Sequence, residues 1–221
     1  MDFEHLRWGL LELILLIISV GLHEFGHAWV ADLRGDPLPR LQGRVTLNPF
    51  AHADPIGTIA IPALMIFLSP GFGMLGWGKP VQVSLPNPKT RRVDDILITL
   101  AGPAMNLVLC LVIVVIGAAL GVVPSPSKSS PAGYFLLSGL FLNTGLFLFN
   151  LVPVPPLDGS RLAVRFGLYS EEIFLNLARW GFIILLVLLN IPIFQQGMHW
   201  VLIQLITPWL YLWDFLLYLR S

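Results

Sequence analysis

Long apolar runs alternate with short polar breaks along the whole chain. Residues 8–31 are apolar over a membrane-crossing length, with Trp8 and Trp29 where interfacial aromatics would sit, and predict one helix. Residues 32–55 turn polar, with Asp32, Arg34, Asp36, Pro37, Pro39, Arg40 and Gly43; the alternation over 41–47 predicts a short strand. Residues 56–78 are apolar but broken by Pro62, Pro70, Gly71, Gly73, Gly76 and Gly78, which predicts a re-entrant or kinked segment. A basic loop follows, and then a long helix at 95–122 whose opening Ala101-Gly102-Pro103-Ala104 would let another helix approach closely. A Ser/Pro-rich turn at 124–131 leads to a span at 133–152, which stops at Pro153, Pro155 and Pro156. A polar, partly helical stretch runs to Arg179, followed by spans near 180–195 and 199–218. The predicted fold is an all-α polytopic membrane protein, one domain over 1–221. It has about five transmembrane helices, the re-entrant segment 56–78 and short β-strands near the site.

Composition removes several function classes. With 56% apolar and 12% charged residues, the chain is neither a water-soluble globule nor disordered. Thirteen basic and thirteen acidic residues cancel without a basic stripe, which removes the electrostatic case for a nucleic-acid partner. One cysteine, Cys110, allows no internal disulfide and reads as membrane packing. Asp2 and Glu4 stand where a signal peptide would be basic, and no small-x-small cleavage site follows, so the first span is expected to stay.

Candidate chemistry starts at His23-Glu24-Phe25-Gly26-His27, a His-Glu-x-x-His run on the first predicted helix. Spacing of i, i+4 puts both imidazoles on one face, where they can grip one metal while Glu24 reaches a water beside it. Ionisable groups within a lipid-spanning helix are costly and are functional candidates by default. A catalytic zinc takes three protein ligands, so a third is sought among the acids at apolar helix ends: Glu12, Asp54, Asp94, Asp95, Asp158 and Asp214. Asp158 is preferred because three prolines unwind the backbone just before it and Gly159 permits close approach; an ordinary turn aspartate is the bland alternative. His52 reads as a solvated loop histidine near the entrance, with a contact to metal or substrate as the sharper option. Asn106 and Asn143 read as cross-helix hydrogen-bonding groups, and Trp77, Trp180, Trp200, Trp209 and Trp213 as belt or packing residues.

Crossing parity tests the third ligand. The end of the first helix and the end of the 133–152 helix share a side only if the crossings between them are even, which requires 56–78 to re-enter. With re-entry, eleven of the thirteen Lys and Arg residues fall on one side, leaving Arg7 and Lys128 opposite; a full span splits them nine to four. The positive-inside rule prefers re-entry, an external N-terminus and a site toward the cytoplasmic half. Two rivals stand beside a protease: a metal transporter, and a non-proteolytic protein holding zinc for structure. A single cluster without further intramembrane ligands speaks against the first, and three ligands where a closed site needs four against the second.

These residues resemble the site-2 proteases, zinc intramembrane metalloproteases, and most of all the compact bacterial branch without PDZ or CBS modules. The likeness rests on His23 to His27, Asn48-Pro49, Asp54-Pro55-x-Gly57, Gly76-Trp77-Gly78-Lys79-Pro80, Ala101-Gly102-Pro103 to Asn106, and Asn150 to Gly159. The resemblance implies one catalytic Zn2+ held by His23, His27 and Asp158, with Glu24 as general base and Asn150 orienting the substrate or its oxyanion. It implies regulated proteolysis of single-pass transmembrane substrates in a lipid bilayer, the bacterial inner membrane. The segments 41–47 and 81–85 would then offer edges for an extended substrate.

Overall fold

The computed structural model describes residues 3–68 and 76–220. Helix α1 (Phe3–Leu33) is followed by a single turn, α2 (Leu38–Leu41). A 3-10 turn (Pro49–Ala51) and a π-helical turn (Pro55–Ala60) lead into α3 (Ile61–Leu68). Further along come α4 (Arg91–Leu120), α5 (Pro131–Asn150), α6 (Asp158–Arg165), α7 (Glu171–Leu189) and α8 (Pro192–Arg220). Five of these, α1, α4, α5, α7 and α8, are long and apolar enough to cross a membrane. At 1.5 Å per residue, the 31 residues of α1 reach about 46 Å, beyond a hydrocarbon core of about 30 Å.

Local chemistry sets the helix ends. Gly121, at φ 68°, closes α4 in the left-handed conformation that suits glycine. Ser170 opens α7 by accepting the Ile173 N–H on its hydroxyl at 3.2 Å. The chain therefore enters this span at Glu171, not near 180. Asn190 ends the helix and Pro192 starts α8, so the break falls at 190–191 rather than at 195–199.

Helix α4 is the hub, packed against α1, α5, α6 and α8. Its crossing with α1 is tight, since a Cβ on Gly26 would lie 2.6 Å from the Ala101 carbonyl oxygen. Distal to this crossing, Cys110 and Val114 of α4, Leu140 of α5, and Ile206 and Trp213 of α8 form a buried core. Trp213 is fully buried there and donates its indole N–H to Val122 O at 2.9 Å, so it is a packing residue rather than part of a belt. Trp8 is also buried, edge-on to Tyr134 with ring centroids 4.7 Å apart.

The segment between 53 and 78 starts and finishes at one place. Ala53 pairs with Gly78 in an antiparallel bridge, Lys79 N donates to His52 O at 2.8 Å, and Trp77 N donates to Gly57 O at 3.1 Å. The Arg44 guanidinium clamps both flanks by donating to Ala51 O and Lys79 O. Within it, the apolar helix Pro55–Phe67 is shorter than a span; the part of the predicted 56–78 segment at 69–75 lies outside the described residues.

The predicted short strands do not form: among the described residues there is no strand, only that one bridge. At 41–47 the alternation is overridden by α2, started by Pro37 and closed by Gly43 at φ 67°. At 81–85 no strand forms: the Asp36 carboxylate takes the N–H groups of Ser84 and Leu85 that a ladder would use, and Leu85 turns the chain at φ 49°. The same carboxylate accepts the Ser84 hydroxyl at 2.7 Å and the Leu38 N–H at 3.0 Å.

This clasp joins the polar loop after α1 to the segment before α4. Burial works against the charge on Asp36, yet the Ser84 hydroxyl and three main-chain N–H groups hold its carboxyl below the usual range. A depressed folded-state pKa stabilises above the unfolded value, about 3.9, and that contribution is lost as pH falls below it. Asp36→Asn is expected to lower the thermal midpoint in detergent at pH 7. The gap to wild type should shrink as pH drops from 5 to 3, and a constant gap would remove the carboxylate from the account.

Candidate metal centre

Helix α1 carries His23 and His27 one turn apart, both buried, with ring centroids 4.8 Å apart. Their Nε2 atoms lie 3.1 Å from each other. Asp158, the first residue of α6, brings Oδ2 to 3.1 Å from His23 Nε2 and 3.3 Å from His27 Nε2. These are the residues among those described whose ligand atoms gather closely enough to hold a metal ion.

The donor set fits a tetrahedral metal. His27 Nδ1 faces the Ile98 carbonyl oxygen at 2.7 Å, a partner that can only accept, so Nδ1 carries the proton; in a neutral ring this leaves Nε2 as a bare lone pair. His23 Nδ1 likewise faces the Asn106 side-chain oxygen at 2.7 Å. Asp158 Oδ2 is buried without a hydrogen-bond donor. Three acceptors thus point at one another, a repulsive arrangement that a proton could relieve for one contact and a cation relieves for all. Ligands about 2.0–2.1 Å from a tetrahedral centre lie about 3.3 Å apart, close to the spacings observed.

Close packing leaves no slack around these atoms. A Cβ on Gly102 of α4 would lie 2.3 Å from His27 Nε2 and 2.6 Å from His23 Nε2, so only glycine fits there. On the other side of the group, Gly159 lets α6 begin against the end of α5, where a Cβ would meet Leu151 O at 2.2 Å. Two arginines of α6, Arg161 and Arg165, engage the buried Asp95 of α4 and anchor the helix that carries Asp158. Tyr169 donates its hydroxyl to Ser160 O at 3.0 Å and braces the same turn.

Glu24 and Asn150 share a cavity of about 230 Å³ with His23, His27 and Asp158. Gly78 stands so close to Glu24 that a Cβ there would lie 2.9 Å from Oε1, so the returning chain at 76–78 forms one wall. Asn150 also lines the cavity and donates its amide to Leu146 O of its own helix at 2.9 Å.

Two loop residues behave differently from their sequence reading. His52 is not a solvated loop histidine: it is fully buried, with Nε2 on Thr46 O at 2.9 Å, and stands outside the metal group. Burial pushes its imidazole below the ordinary value, which keeps it neutral. Asp54 caps the π-helical turn by accepting the Ile56 and Gly57 N–H groups. The contributions of Gly102 and Asn106 to the centre were not read from the sequence. Their i, i+4 spacing, which puts both on the helix face turned toward α1, was the available signal.

Comparison with known proteins agrees with this architecture. The profile of peptidase family M50 matches residues 11–133. The chain is 38% identical over 190 residues to a Bacillus subtilis protein named "Putative zinc metalloprotease YwhC", covering 81% of this chain and 80% of that one. It is 32% identical over 181 residues to "Putative zinc metalloprotease Rip2" of Mycolicibacterium smegmatis, covering 80% of this chain and 65% of that protein. No solved structure matches. By the extent of these matches the chain belongs to peptidase family M50, the family of the site-2 proteases.

Proposed function

We propose that this protein is an intramembrane zinc metalloprotease that hydrolyses peptide bonds within or near the transmembrane helices of single-pass substrates. The observation that carries the proposal is the convergence of His23, His27 and Asp158 lone pairs beside Glu24 in one cavity. The names of the relatives support zinc as the metal. All those described here are bacterial, which supports a bacterial inner membrane.

Zinc, when bound, supplies a Lewis acid that acidifies water and polarises a carbonyl. His23, His27 and Asp158 would hold it. Glu24 takes the proton from the attacking water and returns it to the leaving amine. Asn150, which lines the same cavity, orients the substrate. Pro80, Val81 and Val83 line the cavity without a ladder partner among the described residues, which supports the use of this segment as an edge for an unwound substrate. A helical substrate hides its carbonyls in its own hydrogen bonds, so such an edge compensates the groups freed by unwinding.

The topology follows from the meeting of Ala53 and Gly78, which supports re-entry of the segment between them. The loops before α4, the loop after α5 and the C-terminus then share the cytoplasmic side with ten of the thirteen basic residues, Arg179 lying within α7. The N-terminus lies outside.

The zinc content of detergent-purified protein tests the ligand set. Wild type and Glu24→Gln should hold about one zinc per chain, and Asp158→Ala markedly less. Glu24→Gln should cut a reconstituted membrane-anchored substrate at least about 100-fold more slowly; retained turnover would sink its role as base. Gly102→Ala should also lose zinc, because its methyl group competes for the space of the imidazoles. For topology, Lys89→Cys should react with an impermeant thiol reagent only from the cytoplasmic side and Ser129→Cys only from outside; the reverse pattern, or both on one side, contradicts the arrangement.

A further inference from the structure

We propose that Asn106 and Asn143 are positioning residues that dictate which nitrogen of His23 carries its proton, so that Nε2 meets the metal as a bare lone pair. The proposal rests on His23 being a zinc ligand, as argued above. It concerns a chain of hydrogen bonds that starts two helices away from α1.

The chain begins at a group that cannot change its role. The Gly139 carbonyl oxygen on α5 accepts from Asn143 Nδ2 at 2.9 Å, and the same amide nitrogen lies 3.0 Å from the Ser19 hydroxyl on α1. With Nδ2 held there, Asn143 Oδ1 faces α4 and accepts from Asn106 Nδ2 at 3.0 Å. Asn106 must then turn Oδ1 to His23 Nδ1, 2.7 Å away. An oxygen in that place requires Nδ1–H, and a neutral imidazole protonated at Nδ1 has its lone pair on Nε2. Flipping Asn143 would set its oxygen against the Gly139 carbonyl, and flipping Asn106 alone would bring two amide oxygens together.

The need for two asparagines follows from comparing the two histidines. His27 is oriented by a main-chain carbonyl, Ile98 O, which has no second option. His23 is oriented by an amide, which presents an acceptor or a donor according to its rotation by 180°. Only a second fixed group can choose between them, and Asn143 supplies that choice from α5. Asn106, Asn143 and Ser19 are each at most 1% exposed, so no solvent substitutes for a lost partner. Partners of this kind around metal-binding histidines usually change metal affinity by about 10–100-fold.

The test compares zinc affinity by chelator competition in Asn143→Val, with Asn143→Ala as a second variant of different volume, against wild type, Ser19→Ala and Asp158→Ala. Each variant is first shown to keep a cooperative thermal transition. Asn143→Val or, if it does not fold, Asn143→Ala should bind zinc about tenfold or more weakly, although Asn143 touches no ligand atom of the metal. Ser19→Ala should stay within about twofold, since Gly139 O still orients Asn143. Nitrogen-15 spectra of histidine-labelled, zinc-free protein should show His23 protonated at Nδ1 in wild type and shifted toward Nε2–H in the Asn143 variant. Wild-type affinity with an unchanged tautomer in the Asn143 variants would overturn the proposal. So would an equal loss in Ser19→Ala, which would make the network a packing feature. Undiminished zinc in Asp158→Ala would instead indict the ligand set itself.

Discussion

Three acceptor atoms brought together inside a bundle of apolar helices repel one another unless positive charge lies between them. His23 Nε2, His27 Nε2 and Asp158 Oδ2 stand 3.1–3.3 Å apart, and much of the surrounding structure keeps them there. One helix supplies two of the three through a one-turn spacing. The third arrives on a separate short helix, and nothing local joins the two. Helix α6 is held at its station by ion pairs from Arg161 and Arg165 to Asp95, so a polar contact on α4 fixes the helix that carries Asp158.

Close approach of backbones makes this possible. At Gly26 and Gly102 the α1–α4 crossing has no room for a methyl group, and at Gly159 the start of α6 presses on the end of α5. In a bilayer, where apolar side chains gain little by leaving lipid for protein, small residues let helices meet through van der Waals contact and interhelical hydrogen bonds. The buried line from Ser19 through Asn143 and Asn106 to His23 is the hydrogen-bonded part of that packing. It ties α1, α4 and α5 together at the depth of the metal group.

The segment between 53 and 78 provides the remaining wall. Its ends are bridged at Ala53 and Gly78 and clamped by Arg44, so the chain leaves and returns at one point and lays Gly78 against Glu24. A reacting group inside an apolar bundle needs a polar, water-accessible lining, and irregular backbone at such depth is tolerated where it lines a cavity. The breaks at 76–78 and 153–157 both serve that lining.

The sequence by itself determined the features that depend on neighbouring residues or on counting. The apolar spans, the His-Glu-x-x-His face of α1 and the helix break that frees Asp158 were all legible, because each follows from period or spacing. The place of Gly159 was legible for the same reason. Only the tertiary structure decided where distant chain segments compete for the same groups. The alternation at 41–47 and 81–85 promised strands, but Pro37 and Gly43 closed a helical turn, and the Asp36 carboxylate captured the N–H groups of Ser84 and Leu85. His52 looked like a loop residue facing water and is fully buried against Thr46. That Asn106 and Asn143 would bond across helices could be read from an apolar background. That the bond ends on His23, and that Gly102 sits against both imidazoles, depends on ångström-scale distances between residues about eighty positions apart, which no local pattern encodes.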